Sequence, residues 1–495
     1  MSIGQWVPLA AILAPLIGAA WIRVAGPGRC AGAAVAIGAV VVAFAGCTLL
    51  AFIAGRGASP ALALIALVPP IHLTLRVDAL GALFGLTVAA LYVPATFHAV
   101  SWLRDDAYWR LYHTVALACL ALMLLVAFAG NLVTLLVGYE LFSLVSFLLI
   151  VHRRTPDAFR AGIKYLAYVI PGAALTLIGT VIVFFAAGSV GFAPGGLDVP
   201  AGSAGMLTVA WVCLVFGFGV KAALFPLHGW IPDAHPAAPA PFSGILSGVM
   251  VATGAFAIVR VAYEIFGPVR LEALGVMPWL AIPAALGVVV AGVLAVGEDH
   301  LKRRLAWSTI SQMGYATLAA SLLEPRALAG ALVHLANHAF IKGGLFFAVG
   351  AVAAVAGIHR VSELPGLSRR MPVTAVVITV LAAALVGLPP LAGFIGKWWL
   401  VTGAAEAGAW PVLTVLLLGS VLAALYLWPV VFAAWSAPPE LRSGSPVRRD
   451  EPWNGMLAAA LVTAVLAVVF GVAAAATGYP LGLAVRAAAA LAGGS

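Results

Sequence analysis

Apolar residues run along this chain in long blocks, each closed by a short polar or basic loop. A helix needs about 20 consecutive apolar residues to cross a hydrocarbon layer. Runs of that size lie near 5–24, 30–54, 79–102, 112–129, 131–151, 163–187, 206–226, 241–266, 276–297, 301–322, 327–356, 373–401, 409–435 and 455–477. They predict an all-α polytopic membrane protein of about fourteen spans, because backbone in lipid must satisfy its own hydrogen bonds. No hydrophilic stretch interrupts the series, so residues 1–495 read as a single membrane domain. The tail from Gly478 is too brief for another crossing and is expected at the interface.

Composition agrees. The chain is 64% hydrophobic and 9% charged, whereas soluble domains run near half apolar and a quarter charged. So few charges cannot cover a water-soluble body of this size. The net charge of +9 does not point to nucleic acid, since no basic stripe with interleaved aromatics occurs. Cys30, Cys47, Cys119 and Cys213 are far apart and form no CxxC pair, which argues against a disulfide framework or a metal site. The opening MSIGQWVPLA lacks a basic n-region, so the first run reads as a retained span.

The basic residues fall in short clusters between runs. Loops after spans 1, 3, 5, 9, 11 and 13 hold Arg23, Arg29, Arg104, Arg110, Arg153, Arg154, Arg160, Lys302, Arg303, Arg304, Arg360, Arg369, Arg370, Arg442, Arg448 and Arg449. The opposite side has little beyond Arg56, Arg76, Arg270, Arg326 and Arg486. The positive side faces the cytoplasm, which places both termini outside.

Charges inside the runs carry the chemistry. Of five lysines, Lys164, Lys221, Lys342 and Lys397 lie within apolar runs, and Lys302 reads as a loop residue. An ammonium at mid-bilayer costs about 2.5 to 3.5 kcal/mol even on the lenient insertion scale. Lys164 begins its span, where snorkelling excuses it. Among the acids, Glu140 stands near the middle of a span, in NLVTLLVGYELFSLVSFLLI. Burial favours the neutral form of a lone carboxylate, and a nearby lysine favours the charged form. Such a pair is a proton switch, or else a static ion pair pinning two helices. His334, His338 and Lys342 recur at i, i+4 and i+8 in ALVHLANHAFIKGGLFF, one stripe of a helix. Imidazoles beside a buried amine suit a proton relay; core histidines are the plainer alternative, and no acid accompanies them to favour a metal.

Prolines interrupt two runs. Lys221 precedes Pro226 in FGVKAALFPLHGWIPDAHPAAPAPFSG, and Lys397 follows Pro389 and Pro390 in VGLPPLAGFIGKWW. Proline kinks a helix by removing a donor, and freed carbonyls at membrane depth need polar partners. Broken helices bearing a charge in two corresponding halves suit an inverted-repeat transporter. Each lysine lies on the opposite flank of its prolines, as inversion requires. Five spans separate the breaks, so spans 4–8 (112–266) and 9–13 (276–435) read as the two repeats, with helices 7 and 12 broken.

KAALFPLHGWIPDAHPAAPAPFSGILSGVM resembles the signature of the antiporter-like subunits shared by respiratory complex I, Mrp cation/proton antiporters and group 4 membrane-bound hydrogenases. EDHLKRRLAWSTISQMGYATL, VHLANHAFIKGGLFF and LPGLSRRMPVTAVVITVLAAALVGLPPLAGFIGKWW are similar to later segments of that family. The similarity covers roughly residues 78 to 400. It implies fourteen core helices, the two inverted repeats and a central polar axis. Glu140 matches the family's glutamate on span five, Lys221 the lysine on broken span seven, His334, His338 and Lys342 the span-eleven relay, and Lys397 the terminal group of span twelve. Lys164, His228, Ser243, Ser247 and Thr253 are secondary candidates. Ala252 fills the place where many members carry a lysine on span eight, and the nearby hydroxyls are polar enough to hold water there.

The resemblance implies a proton-translocating subunit of a multisubunit complex in a bacterial or archaeal inner membrane. It would not be catalytic alone and would bind no cofactor; redox chemistry, where present, belongs to partner subunits of an NADH-quinone oxidoreductase or hydrogenase-type complex. The expected partners are other membrane subunits, peripheral redox subunits, lipid, protons and, in one alternative, Na+. The alternatives are a Mrp-type Na+/H+ antiporter subunit, a subunit energising uptake of a solute such as inorganic carbon, and a quinone-binding or inactive scaffold subunit.

Overall fold

A computed structural model describes residues 3–68, 71–200, 202–437, 449–476 and 478–493. Arg442 and Arg448 of the basic loop after span thirteen lie outside the described residues. Helices α1 (Val7–Ala25) and α2 (Arg29–Gly55) form a hairpin. Then come β1 (Ala61–Val68) and β2 (Ile71–Arg76), α3 (Ala79–Trp102), α4 (Trp109–Ala127), α5 (Leu132–Ile150), α6 (Pro156–Ala187) and α7 (Ala204–Gly219). Two short helices, α8 (Ile231–Ala237) and α9 (Ala240–Ile245), lead through a π-helical turn into α10 (Val251–Val261). The chain continues with α11 (Pro268–Leu274), α12 (Pro278–Gly297), α13 (Leu301–Ala320), α14 (Pro325–Ala356), α15 (Leu367–Arg370), α16 (Pro372–Val386), α17 (Ala392–Glu406), α18 (Trp410–Trp435), α19 (Gly455–Val472) and α20 (Leu483–Leu491).

Eleven described helical segments are long and apolar enough to cross a membrane, and α7 and α16 are shorter apolar helices. Lipid exposure is written into their side chains. Ile163, Ile170, Leu177 and Phe185 of α6, and Val421, Leu425 and Phe432 of α18, are exposed apolar groups, a pattern that only an apolar solvent tolerates over whole helices. The rod from Ala240 to Phe266 is instead buried on every side, and α14 is buried along most of its length. The polar residues of the chain's interior cluster around these two.

The loops fall on two faces. On one, Arg29 donates to the carbonyls of Leu103 and Arg104, His152 meets Asp106, Leu301 N–H donates to His359, and Gly366 N–H to Ser436. On the other, Arg76 reaches the Phe192 carbonyl, Gly130 N–H that of Thr74, and Ala193 N–H that of Glu264. The basic clusters named from the sequence share the first face.

Four expectations need correction. The fold is not purely helical: β1 and β2 pair antiparallel, with Ala61 opposite Arg76 and Leu62 opposite Leu75. The run ALALIALV is too short to cross lipid as a helix, so its backbone pairs with the next strand. Run 206–226 does not stay helical to Pro226, because α7 stops at Gly219 and leaves Lys221 in a turn. Lys302 is not a loop residue; it lies in the first turn of α13 and is buried. The tail does more than rest at an interface: α20 buries Leu483, Ala484, Ala487, Ala488 and Leu491, and the Tyr479 hydroxyl hydrogen-bonds Thr87 Oγ1 at 2.7 Å.

Candidate functional site

Both predicted helix breaks are real, and each presents a lysine to the interior. After α7 the chain turns through Ala223, whose φ of 62° is left-handed, a conformation costing an alanine about 1 to 2 kcal/mol. The second break separates α16 from α17. Gly387 ends α16 with φ of 97°, and a Cβ there would lie 2.9 Å from the Lys397 side chain. Glycine is needed twice over: for the turn and for the space the lysine fills. Both breaks contain a cis proline bond, Phe225–Pro226 and Pro389–Pro390, and all three prolines are exposed.

Lys221 is buried against α5. Its ammonium donates to the Tyr139 carbonyl at 3.2 Å and to Ser143 Oγ, and that hydroxyl donates back to the same carbonyl at 2.7 Å. Lys342 repeats the arrangement on α13: it donates to the Leu305 carbonyl at 2.6 Å and to Ser308 Oγ, which donates to Leu305 at 2.9 Å. Lysine, carbonyl and serine thus form the same closed trio in both halves. Glu140 lies on α5 beside this group and accepts a bond from Thr176 Oγ1 at 3.3 Å. The static Glu140–Lys221 ion pair is not formed: Glu140 bonds Thr176, whereas Lys221 bonds Tyr139 and Ser143.

The histidine stripe is continuous. His334 Nε2 donates to the Gln312 carbonyl at 3.2 Å, and its ring stacks on Tyr315. His338 lies 6.0 Å away, ring to ring, with neither nitrogen hydrogen-bonded. Lys342 completes the stripe one turn on. At the other end, Lys397 donates to the Val386 carbonyl at 2.9 Å and stands 4.9 Å over the Tyr315 ring. Gly396 brings α17 against the backbone of His334. The structure therefore joins Lys342, His338, His334 and Lys397 into one line.

The secondary candidates divide. Lys164 is half-exposed and pairs with Asp233 at 2.6 Å, an interfacial role. His228 stacks on Phe225 near the surface of the first break. Ser247 hydrogen-bonds Thr309 Oγ1 at 2.6 Å, Ser243 donates to the His235 carbonyl, and Thr253 turns back onto Met250. Ala252 is buried.

Three features escaped the sequence reading. Arg260 is fully buried and binds Asp78 twice and Glu264 once, while Arg76 bonds Glu264 from the end of β2. Burial alone would raise the Asp78 carboxyl, in the loop before α3, but the Arg260 charge outweighs it and holds it well below the usual carboxylate range. The i, i+4 spacing of Arg260 and Glu264 inside an apolar run was the available signal. The others are Lys302 and His235, buried side chains between the two halves; His235 stands in the quoted IPDAH segment.

A sequence profile for the NADH:quinone oxidoreductase/Mrp antiporter transmembrane family matches residues 129–423. The NADH-quinone oxidoreductase subunit N of Desulforudis audaxviator is 35% identical over 380 residues, covering 74% of each chain. Hydrogenase-4 component B of Escherichia coli is 33% identical over 346 residues, 66% of this chain and 50% of that protein. Among solved structures, a chain of the Mrp complex from Dietzia sp. superposes with a TM-score of 0.88 over 99% of this chain and 98% of that one, at 22% identity, a likeness of fold.

Proposed function

The chain belongs to the NADH:quinone oxidoreductase/Mrp antiporter transmembrane family, and from that premise we propose that it is a proton-translocating subunit of a multisubunit membrane complex. One observation carries the reading. Lys221, Lys342 and Lys397 are each at most 6% exposed, and none has a carboxylate within ion-pair distance among the described residues. Neutral groups surround them, carbonyls, hydroxyls and aromatic rings. A permanent unpaired ammonium in that setting is costly, whereas a lysine that alternates between amine and ammonium is a proton carrier. Lysine nitrogens, two buried imidazoles and a half-buried carboxylate then form a series of groups able to hand protons along.

In this reading the chain crosses the membrane fourteen times, with each broken helix counted once and α1 and α2 leading. Residues 112–266 and 276–435 are inverted repeats, a view supported by the two corresponding helix breaks, after Gly219 and after Val386, that carry Lys221 and Lys397. The basic face is cytoplasmic and both termini lie outside. Glu140 and Lys221 form the coupling pair of the first half. Lys342, His338 and His334 conduct toward Lys397, the exit-side group. Partner subunits supply the driving reaction, redox or counter-ion flux.

The test is proton flux in vesicles that hold equal amounts of assembled complex. Lys397→Ala should assemble and lose most of the flux. Normal flux in that variant would refute the relay.

A further inference from the structure

On the basic face, a cavity of about 320 Å³ opens between α3, the α8–α9 turn, the start of α13 and the end of α14. Its lining includes Trp102, Arg153, Pro236, Lys302, Gly350 and Ala353, and no carboxylate. It is large enough to hold several waters. Lys302 closes its inner end. The ammonium donates to the Ala238 carbonyl at 2.9 Å and to Ser243 Oγ at 3.3 Å. A lysine has three N–H donors, so one remains for the cavity.

Beyond Lys302 the next groups are Ser243 and His235. The Ser243 hydroxyl donates to the backbone of His235, whose buried ring has no hydrogen bond on either nitrogen. That ring stacks on Phe346, centroids 4.6 Å apart, and Lys342 stands over the same phenyl. One turn further on, Ser247 meets Thr309, and Thr309 shares the Leu305 carbonyl with Lys342.

We propose that Lys302 is a proton-uptake group for the second half of the chain, passing protons from the basic face through His235 to Lys342 without recourse to Lys221. This rests on the relay reading above. The Lys302 ammonium gives one proton to a neutral His235 nitrogen, directly or through one water. His235 passes one proton to the Lys342 amine, and the Lys302 amine takes its replacement from water in the cavity. Each transfer moves one proton and restores the donor. The neutral His235 ring, with both nitrogens unclaimed, is what such a transfer requires.

The alternative is that Lys302 only pins the Ala238 carbonyl and so holds the α8–α9 turn. Lys302→Arg separates the two, because a guanidinium keeps charge and donors but does not release its proton. Lys302→Arg, Lys302→Met and Ala353→Trp, the last filling the cavity from α14, would be compared in vesicles holding the assembled complex, with Lys397→Ala alongside. All three should assemble and lose proton flux at least tenfold. Flux restored by arginine but not by methionine would mean a structural lysine and overturn the proposal. So would wild-type flux in Lys302→Arg and Ala353→Trp while Lys397→Ala is inactive, an outcome that leaves the relay standing. Full flux in Lys397→Ala as well would overturn both. Should the Lys302 variants fail to assemble, Ala353→Trp decides alone: lost flux supports the route and full flux refutes it.

Discussion

The ammonium of Lys397 bonds the carbonyl of Val386, the last residue of the half-helix on the far side of the break. A cation at a helix C-terminus meets an unpaired carbonyl and the negative end of the helix dipole, worth about 0.3 to 1 kcal/mol near a surface and up to about 2 when partly buried. The bond therefore has a structural value of its own, and a simple deletion does not distinguish cap from carrier. Lys397→Arg does. It should keep the cap, assemble normally and still abolish proton flux, read as initial rate in vesicles. Full flux with arginine would make Lys397 a cap and nothing more.

The ionic cluster on the other face predicts a stability effect. Arg260 is buried with Asp78 and Glu264. Removing it as Arg260→Met leaves carboxylates short of a partner and should cost about 3 to 5 kcal/mol, seen as a lower melting temperature of the purified complex. The sign with pH follows from Asp78. Its carboxyl is lowered on folding, so its contribution is present above the unfolded value of about 3.9 and is lost as pH falls through the folded one. Arg260→Met should flatten that acid limb. An unchanged acid limb would show that the cluster does not set it.

These residues mark what the sequence does and does not disclose. The spans are legible because lipid imposes a single rule on every one of them. Glu140, Lys221, Lys342 and Lys397 are legible because each breaks that rule. Arg260 breaks it too, but its partner Asp78 lies far away in the chain, and nothing local signals a bond across such a distance. Lys302 was misread for a different reason. The segment EDHLKRR is as polar as a loop, and only the tertiary fold turns the lysine inward while Arg303 faces out and pairs with Glu298. The helical stop at Gly219 was also hidden, since Val220, Ala222, Ala223 and Leu224 on either side of Lys221 are as apolar as the helix they follow.

The two loop faces lead to a labelling prediction. Single cysteines at Ser59 and Asp105, both exposed and on opposite faces, would be placed in a background lacking Cys30, Cys47, Cys119 and Cys213. If the basic face is cytoplasmic, an impermeant thiol reagent on intact cells should label position 59 and spare position 105. The reverse pattern would invert every in/out assignment made above.

Glu140 and Lys221 supply the sharpest test, because they do not touch. Glu140 accepts from Thr176, while Lys221 bonds Tyr139 and Ser143. A buried contact ion pair loses about 3 to 5 kcal/mol when one partner is removed, and neutralising both restores the fold. Groups that sense each other only through space behave otherwise. Glu140→Gln should assemble as the native chain does, since glutamine still accepts from Thr176. Lys221→Met fills the same volume and leaves Ser143 bonded to Tyr139. Both single variants and the double variant should therefore be present at normal levels in the complex. Flux should be lost in all three, because a proton that cannot reside at either group cannot pass. Recovery of flux in the double variant, with both single variants poorly assembled, would return the pair to a structural role.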